Sequence, residues 1–280
     1  MRWMSFKKDD CESFGFVTSD EQVVDVGSDS DYATLKDAIA ANALSDLAQQ
    51  FEGSDGTAIQ EVEFLPPITN PDKILCVGLN YKDHQAETGR GGEDYPTIFV
   101  RFAEAQVGHN GKMIRPRESN TLDYEGEIVL VIGQHGRRIP KDKWQDYVAG
   151  YSCYNDGSVR GYQRHTSQFT PGKNFTATGG FGPWIMTPDE VGDPDELEIF
   201  TRLNGELMQN AKASLLVFGF AELVEYCSTF TDLRPGDLIV TGTPGGVGSA
   251  RNPPIFMDEG DQIDVFIEPI GTLSHTVTVG

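Results

Sequence analysis

Leu122-Asp123-Tyr124-Glu125-Gly126-Glu127-Ile128-Val129-Leu130-Val131-Ile132 sets three carboxylates at alternate positions just before an unbroken aliphatic run. The run over 127–132 predicts a strand buried on both faces, because a half-exposed strand would alternate apolar with polar residues. Strand side chains point alternately to the two faces, so Asp123, Glu125 and Glu127 share a face if the strand extends back that far. Carboxylates so placed repel one another, and once shielded from water they need a positive charge between them. A divalent cation meets that need, and an all-oxygen donor set selects a hard ion, Mg²⁺, Mn²⁺ or Ca²⁺, over zinc. A solvated acidic strand edge would produce the same spacing, and periodicity does not say which two of the three acids bind. A further acid, Asp156 in Tyr154-Asn155-Asp156-Gly157, follows the next strand candidate. Strand ends leading into loops are common places for ligands, while Asn, Asp and Ser are also the usual caps for a helix such as one over 158–165.

Strand patterns continue on both sides of this run. Residues 73–78, 97–102, 148–154, 184–186, 197–203 and 237–241 read as short strands, and 262–268 with 272–279 as a closing hairpin. Asn204-Gly205 is a tight hairpin turn signal. Leu216, Phe220, Leu223 and Cys227 recur at helical spacing and predict a helix over 214–230. Residues 1–68 are acidic and weakly patterned, with strand candidates at 14–17 and 22–26. One helix is expected there over 31–51, capped by Asp31 and carrying Leu35, Ile39 and Leu47. Leu65-Pro66-Pro67-Ile68 and Asn70-Pro71 read as a linker. The expected fold is α+β and β-rich: a small N-terminal domain, 1–68, precedes a larger domain over 69–280.

The 280 residues carry a net charge of −21, which argues against nucleic acid or an anionic membrane surface as partner. An anionic substrate would have to be drawn in by a local positive site. No apolar run approaches the ~18 residues of a membrane-spanning helix, and residues 1–10 lack the apolar core of a signal peptide. The expected compartment is the cytoplasm. Cys11, Cys76, Cys153 and Cys227 are widely spaced and form no CxxC pair, so they read as reduced thiols.

Several separated motifs, in one order, resemble the fumarylacetoacetate hydrolase family over about Lys73 to Gly280. They are Val77-Gly78-Leu79-Asn80-Tyr81 with His84 and Glu87, Asp123 through Glu127, Asn155-Asp156 through Gln163, Gly172-Lys173-Asn174-Phe175, Gly182-Pro183-Trp184, and Pro235 through Gly248. The resemblance implies a mixed β-sandwich roll for the larger domain, usually as a homodimer. It implies metal ligands at Glu125, Glu127 and Asp156, with Mg²⁺ or Mn²⁺ as the usual ion, and leaves Asp123 a neighbour.

His84 and Glu87 are three apart and share a face of a helical turn, so the carboxylate can orient the imidazole as a general base. The resemblance makes this pair catalytic, with Lys173 stabilising a developing oxyanion. It also implies that Gln163 and Thr243 bind substrate, the latter a carboxylate, with Tyr124 and Arg160 as further contacts. Arg101 stands where many relatives have Lys and is expected to clamp a second substrate carboxylate. Arg160-Gly161 replaces a common Arg-Asp pair, and Ala213 replaces a Thr. The expected activity is hydrolysis of the C–C bond of an acylpyruvate, such as maleylpyruvate or fumarylpyruvate, to pyruvate and a second acid. The alternatives are isomerisation or decarboxylation of an oxaloacetate-like dicarboxylate, or a metal-binding module without turnover.

Overall fold

The computed structural model describes residues 1–92 and 94–280. The run that opened the sequence reading is the strand Gly126–Ile132, and all seven of its residues are buried. Its alternation divides two cores. Ile128, Leu130 and Ile132 join one with Ile199, Val265, Ile267 and Leu273, and with Phe220, Leu223 and Cys227 of a helix. Val129 and Val131 join the other with Trp3, Phe14, Phe16, Leu35 and Ile39. A strand with both faces covered must be apolar throughout, and this one is.

Gly126–Ile132 lies inside a twelve-stranded mixed sheet. It pairs antiparallel with Val148–Asp156 and with Leu238–Val240, and the latter pairs parallel with Ile74–Gly78. Thr97–Arg101 closes that edge beside Ile74–Gly78. A second, five-stranded sheet holds Glu206–Lys212, Glu198–Leu203, Gln262–Glu268, Gly271–Val279 and Lys112–Arg115. Asn204-Gly205 makes its predicted turn, both residues at positive φ. The fold is β-rich α+β.

The segment 1–68 extends the large sheet: Arg2–Lys8 pairs with Gly179–Met186 through Arg2 to Met186 and Trp3 to Ile185. Its predicted single helix is two, Leu35–Ala40 and Leu44–Gln50, broken where Asn42 takes a positive φ. The cap is Thr34, whose hydroxyl accepts from the Asp37 amide at 3.2 Å, rather than Asp31. The later helix runs Phe220–Phe230 instead of 214–230; residues Ala213–Leu215 form a 3-10 turn and Gly219 starts the helix. Among the described residues no helix is long and apolar enough to cross a membrane.

Candidate metal centre and its cavity

The first turn toward the site is a break in the predicted strand. Leu122–Asp123 pairs with Ser158–Val159 as a separate short ladder, and the central strand begins only at Gly126. Asp123 is thereby fully engaged: it accepts from the backbone amides of Tyr124, Gly248 and Ser249 and from Arg160 Nε at 2.8 Å. These four hydrogen bonds occupy both carboxylate oxygens and set Asp123 apart from the other two acids of the motif.

Glu125, Glu127 and Asp156 are the acids that converge. One carboxylate oxygen from each lies within 4.8 Å of the others, and all three residues are buried. Ladder pairing explains the convergence. Gly126 faces Asn155 and Glu127 faces Tyr154, so the end of one strand and the start of its neighbour bring the acids together. Asp156 does not cap a helix. The following helix, Arg160–Gln163, starts after Val159 without a side-chain cap.

Lys173 Nζ bridges Glu125 Oε2 at 2.6 Å and Asp156 Oδ2 at 2.5 Å. Arg160 Nη1 meets Glu125 Oε1 at 2.6 Å, and Arg101 Nη1 meets Asp156 Oδ1 at 2.6 Å. Burial alone would raise the Glu125 carboxyl, but the charges of Lys173 and Arg160 outweigh it and hold it well below the usual range. Glu127 is the exception. It accepts from the Gly242 amide at 2.5 Å, and among the described residues no cationic side chain is within ion-pair distance of it. Burial, with Asp156 and Glu125 beside it, pushes its carboxyl well above the ordinary value. A hard divalent cation shared by the three acids fits this donor set, because it supplies the charge that Glu127 lacks. Gly242 can present its amide so closely because it sits at φ +111, where a Cβ would also strike Asn80.

Glu125 and Glu127 line a cavity of about 280 Å³, roughly nine water volumes at ~30 Å³ each. His84, Glu87, Lys173, Arg160, Gln163 and Thr243 line it too. His84 Nδ1 is 2.7 Å from Glu87 Oε1, and Glu87 Oε2 accepts from the Gly246 amide at 2.8 Å. The carboxylate accepts a hydrogen bond from Nδ1–H, which leaves Nε2 as the basic nitrogen. Arg160 Nη1 also donates to Gln163 Oε1 at 3.0 Å, while its buried Nη2 has no partner among the described residues. Thr243 Oγ1 donates to Gly126 O at 3.0 Å and accepts from Gln209 Nε2 at 2.8 Å.

Two expected substrate contacts are corrected. Arg101 is fully buried behind Asp156, with Nη2 on Thr178 Oγ1 at 2.8 Å, and does not line the cavity. It holds the Asp156 carboxylate from behind. Tyr124 is likewise off the cavity wall. Its hydroxyl donates to Gly246 O at 3.1 Å and accepts from Arg251 Nε, and burial pushes its phenol up to about 12.

Residues without a predicted role also build the site. Asn80 Nδ2 donates to Phe218 O and Thr241 O, tying three loops together beneath the cavity. Gln209 holds Gly126 N, Thr243 and Pro244 O. Arg90, Arg164, Phe99 and Phe169 complete the wall. No spacing rule marks these, since each acts through contacts distant in sequence.

Residues 73–278 match the family pattern described as fumarylacetoacetate (FAA) hydrolase C-terminal. Among curated proteins, a mitochondrial oxaloacetate tautomerase of Bos taurus is 42% identical over 219 residues, 78% of this chain and 70% of the relative. The oxaloacetate tautomerase YisK of Bacillus subtilis is 40% identical over 230 residues, 80% and 76% of the two chains. Among solved structures, a fumarylacetoacetate hydrolase from Exiguobacterium antarcticum superposes with a TM-score of 0.84 at 31% identity, covering 100% of both chains. A maleylpyruvate hydrolase from Sphingobium sp. SYK-6, in complex with manganese(II) and pyruvate, gives 0.83 at 27% identity, again over 100% of both.

Proposed function

The chain belongs to the fumarylacetoacetate hydrolase family, and on that premise we propose that it is an oxaloacetate tautomerase using a divalent ion held by Glu125, Glu127 and Asp156. The observation that carries the reading is the small cavity in which a carboxylate-oriented histidine and a buried ammonium share one wall. The relatives named as oxaloacetate tautomerases support this reaction over the C–C hydrolysis expected first.

Tautomerisation needs a base at the carbon beside the ketone and positive charge at the ketone oxygen. His84 Nε2 takes the proton from that carbon. The C–H electron pair becomes the C=C bond, and the carbonyl pair moves onto oxygen. Lys173, held against two carboxylates, keeps its proton in this setting: desolvation opposes the charge, but Asp156 and Glu125 outweigh it and raise the ammonium. It therefore stabilises the oxyanion as a fixed cation. The His84 proton then passes to oxygen, which gives the enol and restores the neutral imidazole. A divalent ion, when bound, would supply further Lewis-acid polarisation of the 2-oxo acid. Arg160 Nη2, which has no partner among the described residues, is the donor for its carboxylate, with Thr243 beside it on the wall.

The test follows the enol absorbance of oxaloacetate with Mg²⁺, with Mn²⁺ and with excess chelator, alongside pyruvate and CO₂. Metal-dependent approach to keto–enol equilibrium without either product supports the reading; equilibration no faster than buffer sinks it. Hydrolysis of an acylpyruvate is the second reading, because the same His84 could deprotonate water and the maleylpyruvate hydrolase likeness favours it. Equal amounts of pyruvate and a second acid from maleylpyruvate would move the conclusion there.

A further inference from the structure

The cavity's positive charge continues past Arg160 to residues that the reaction above does not use. Arg160 and Arg164 are four residues apart on one helical turn, and the Arg164 amide bonds to Arg160 O at 3.2 Å. Side chains at that spacing share a face and stand about 6 Å apart along the axis. Both line the cavity. Arg160 is buried and committed to Asp123 and Glu125, whereas Arg164 is exposed. The pair thus runs from the acid-lined floor toward the mouth. Arg90, just beyond the helix that carries His84 and Glu87, lines the same cavity. Among the described residues neither Arg90 nor Arg164 takes part in an ion pair, although the chain carries a net charge of −21.

Charge at the floor gives these arginines a direction. With Glu127 ionised, as a bound cation would require, Asp123, Glu125, Glu127 and Asp156 face Arg101, Arg160 and Lys173 there, an excess of one negative charge. A divalent ion reverses the excess to one positive charge, which suits one carboxylate. A second carboxylate on the same small molecule needs a second cation about one helical turn away. Phe99, Phe169, Val77, Leu79, Val247 and Ala250 are the apolar side chains of the wall, and none could hold it.

We propose that Arg164, assisted by Arg90, forms a distal carboxylate subsite that selects 2-oxo diacids over 2-oxo monoacids. The inference rests on the 2-oxo acid reading of the site but not on the reaction performed there. A guanidinium is suited to this task because its planar fork can hold a carboxylate through two hydrogen bonds.

The test is calorimetric titration of the full-length, Mg²⁺-loaded protein with 2-oxoglutarate and with 2-oxopentanoate. These share a five-carbon chain and differ in one terminal carboxylate. The wild type should bind the diacid at least about tenfold more tightly, as expected for a charge-assisted pair. Arg164→Gln should bring the two affinities within about twofold of one another by weakening the diacid alone. Arg164→Lys should retain part of the preference, and Arg138→Gln, an exposed arginine outside the cavity, should retain all of it. Equal affinities in the wild type, binding of neither acid, or parallel weakening of both acids by Arg164→Gln would overturn the subsite. Oxaloacetate turnover is measured separately. A diacid preference without turnover would sink the tautomerase reading and keep the subsite, and turnover without the preference would do the reverse.

Discussion

The cavity floor and the corner where Gly271–Val279 meets the loop 108–112 both bury titratable side chains, yet only the floor buries them charged. At the floor, four carboxylates and three cations sit at 6% exposure or less and are held at 2.5–2.8 Å by one another or by backbone amides. In the corner, His275 is 1% exposed, its Nδ1 donates to Gly111 O at 3.0 Å, and its Nε2 has no partner among the described residues. His109 accepts from the Ser274 amide through Nδ1. Burial drives both imidazoles down to about 4, so they are neutral at pH 7. A region that serves architecture discards its charge. One that keeps several charges at a desolvation cost of several kcal/mol per ion has another use for them.

The contrast breaks most sharply at Glu127, the floor acid with no cationic side-chain partner among the described residues. Glu127→Gln should lower turnover by about 10²–10³-fold, and excess chelator should lower the wild type comparably while leaving the variant's residual rate unchanged. A variant that still responds to chelator would mean that Glu127 is not a ligand.

Lys173→Met tests whether the floor needs its internal cations even at rest. Glu125 and Asp156 would then face each other without the ammonium, and unfolding free energy in chelator should fall by about 3–5 kcal/mol. Added Mg²⁺ should restore part of the loss, because an ion can take the place of the missing charge. Denaturant midpoints with and without Mg²⁺ read both effects, and no recovery on adding the ion would count against the shared metal site.

In the corner the expected response is to pH. The His275 imidazole is depressed to about 4 in the folded chain, against about 6.5 when unfolded. Between these values the unfolded chain binds the extra proton, so stability rises with pH across the window and is lost as pH falls from 6.5 toward 4. The span is worth about 3 kcal/mol. His275→Gln should reduce the slope of unfolding free energy over pH 4–6.5 and leave the share that His109 carries; an unchanged slope would show that other groups carry it.

Legibility in the sequence followed the same division. The central strand and the Asn204-Gly205 turn were readable because each rests on local spacing, whereas the set Glu125, Glu127 and Asp156 followed from the family resemblance, spacing alone leaving Asp123 among the candidates. The break between Asp123 and Gly126 was not, since it is enforced by amides of Gly248 and Ser249, over 120 residues away. The long N-terminal helix failed at Asn42 for a local reason: helical spacing at Leu35, Ile39 and Leu47 continues through a residue whose φ is positive. Gln209 escaped notice, and Asn80 was read only as part of a motif, because an amide side chain bridging loops leaves no periodic signal. Arg101 was assigned to substrate on chemistry alone. Its guanidinium does clamp a carboxylate, but the carboxylate belongs to Asp156.

That last distinction can be measured, at the smallest effect of the set. Arg101 reaches Asp156 Oδ1 at 2.6 Å, Gly157 O at 3.1 Å and Thr178 Oγ1 at 2.8 Å, so its work is to orient one carboxylate of the candidate metal site. Groups of this kind typically change metal affinity by about 10–100-fold when removed. Arg101→Gln should therefore raise the Mn²⁺ concentration needed for half-maximal activity by that factor. At saturating Mn²⁺, KM for the dicarboxylate should stay within about twofold of wild type, since no part of Arg101 lines the cavity. A direct substrate clamp predicts the opposite split, a KM raised by tenfold or more at unchanged metal demand, and that outcome would return Arg101 to the role its chemistry first suggested.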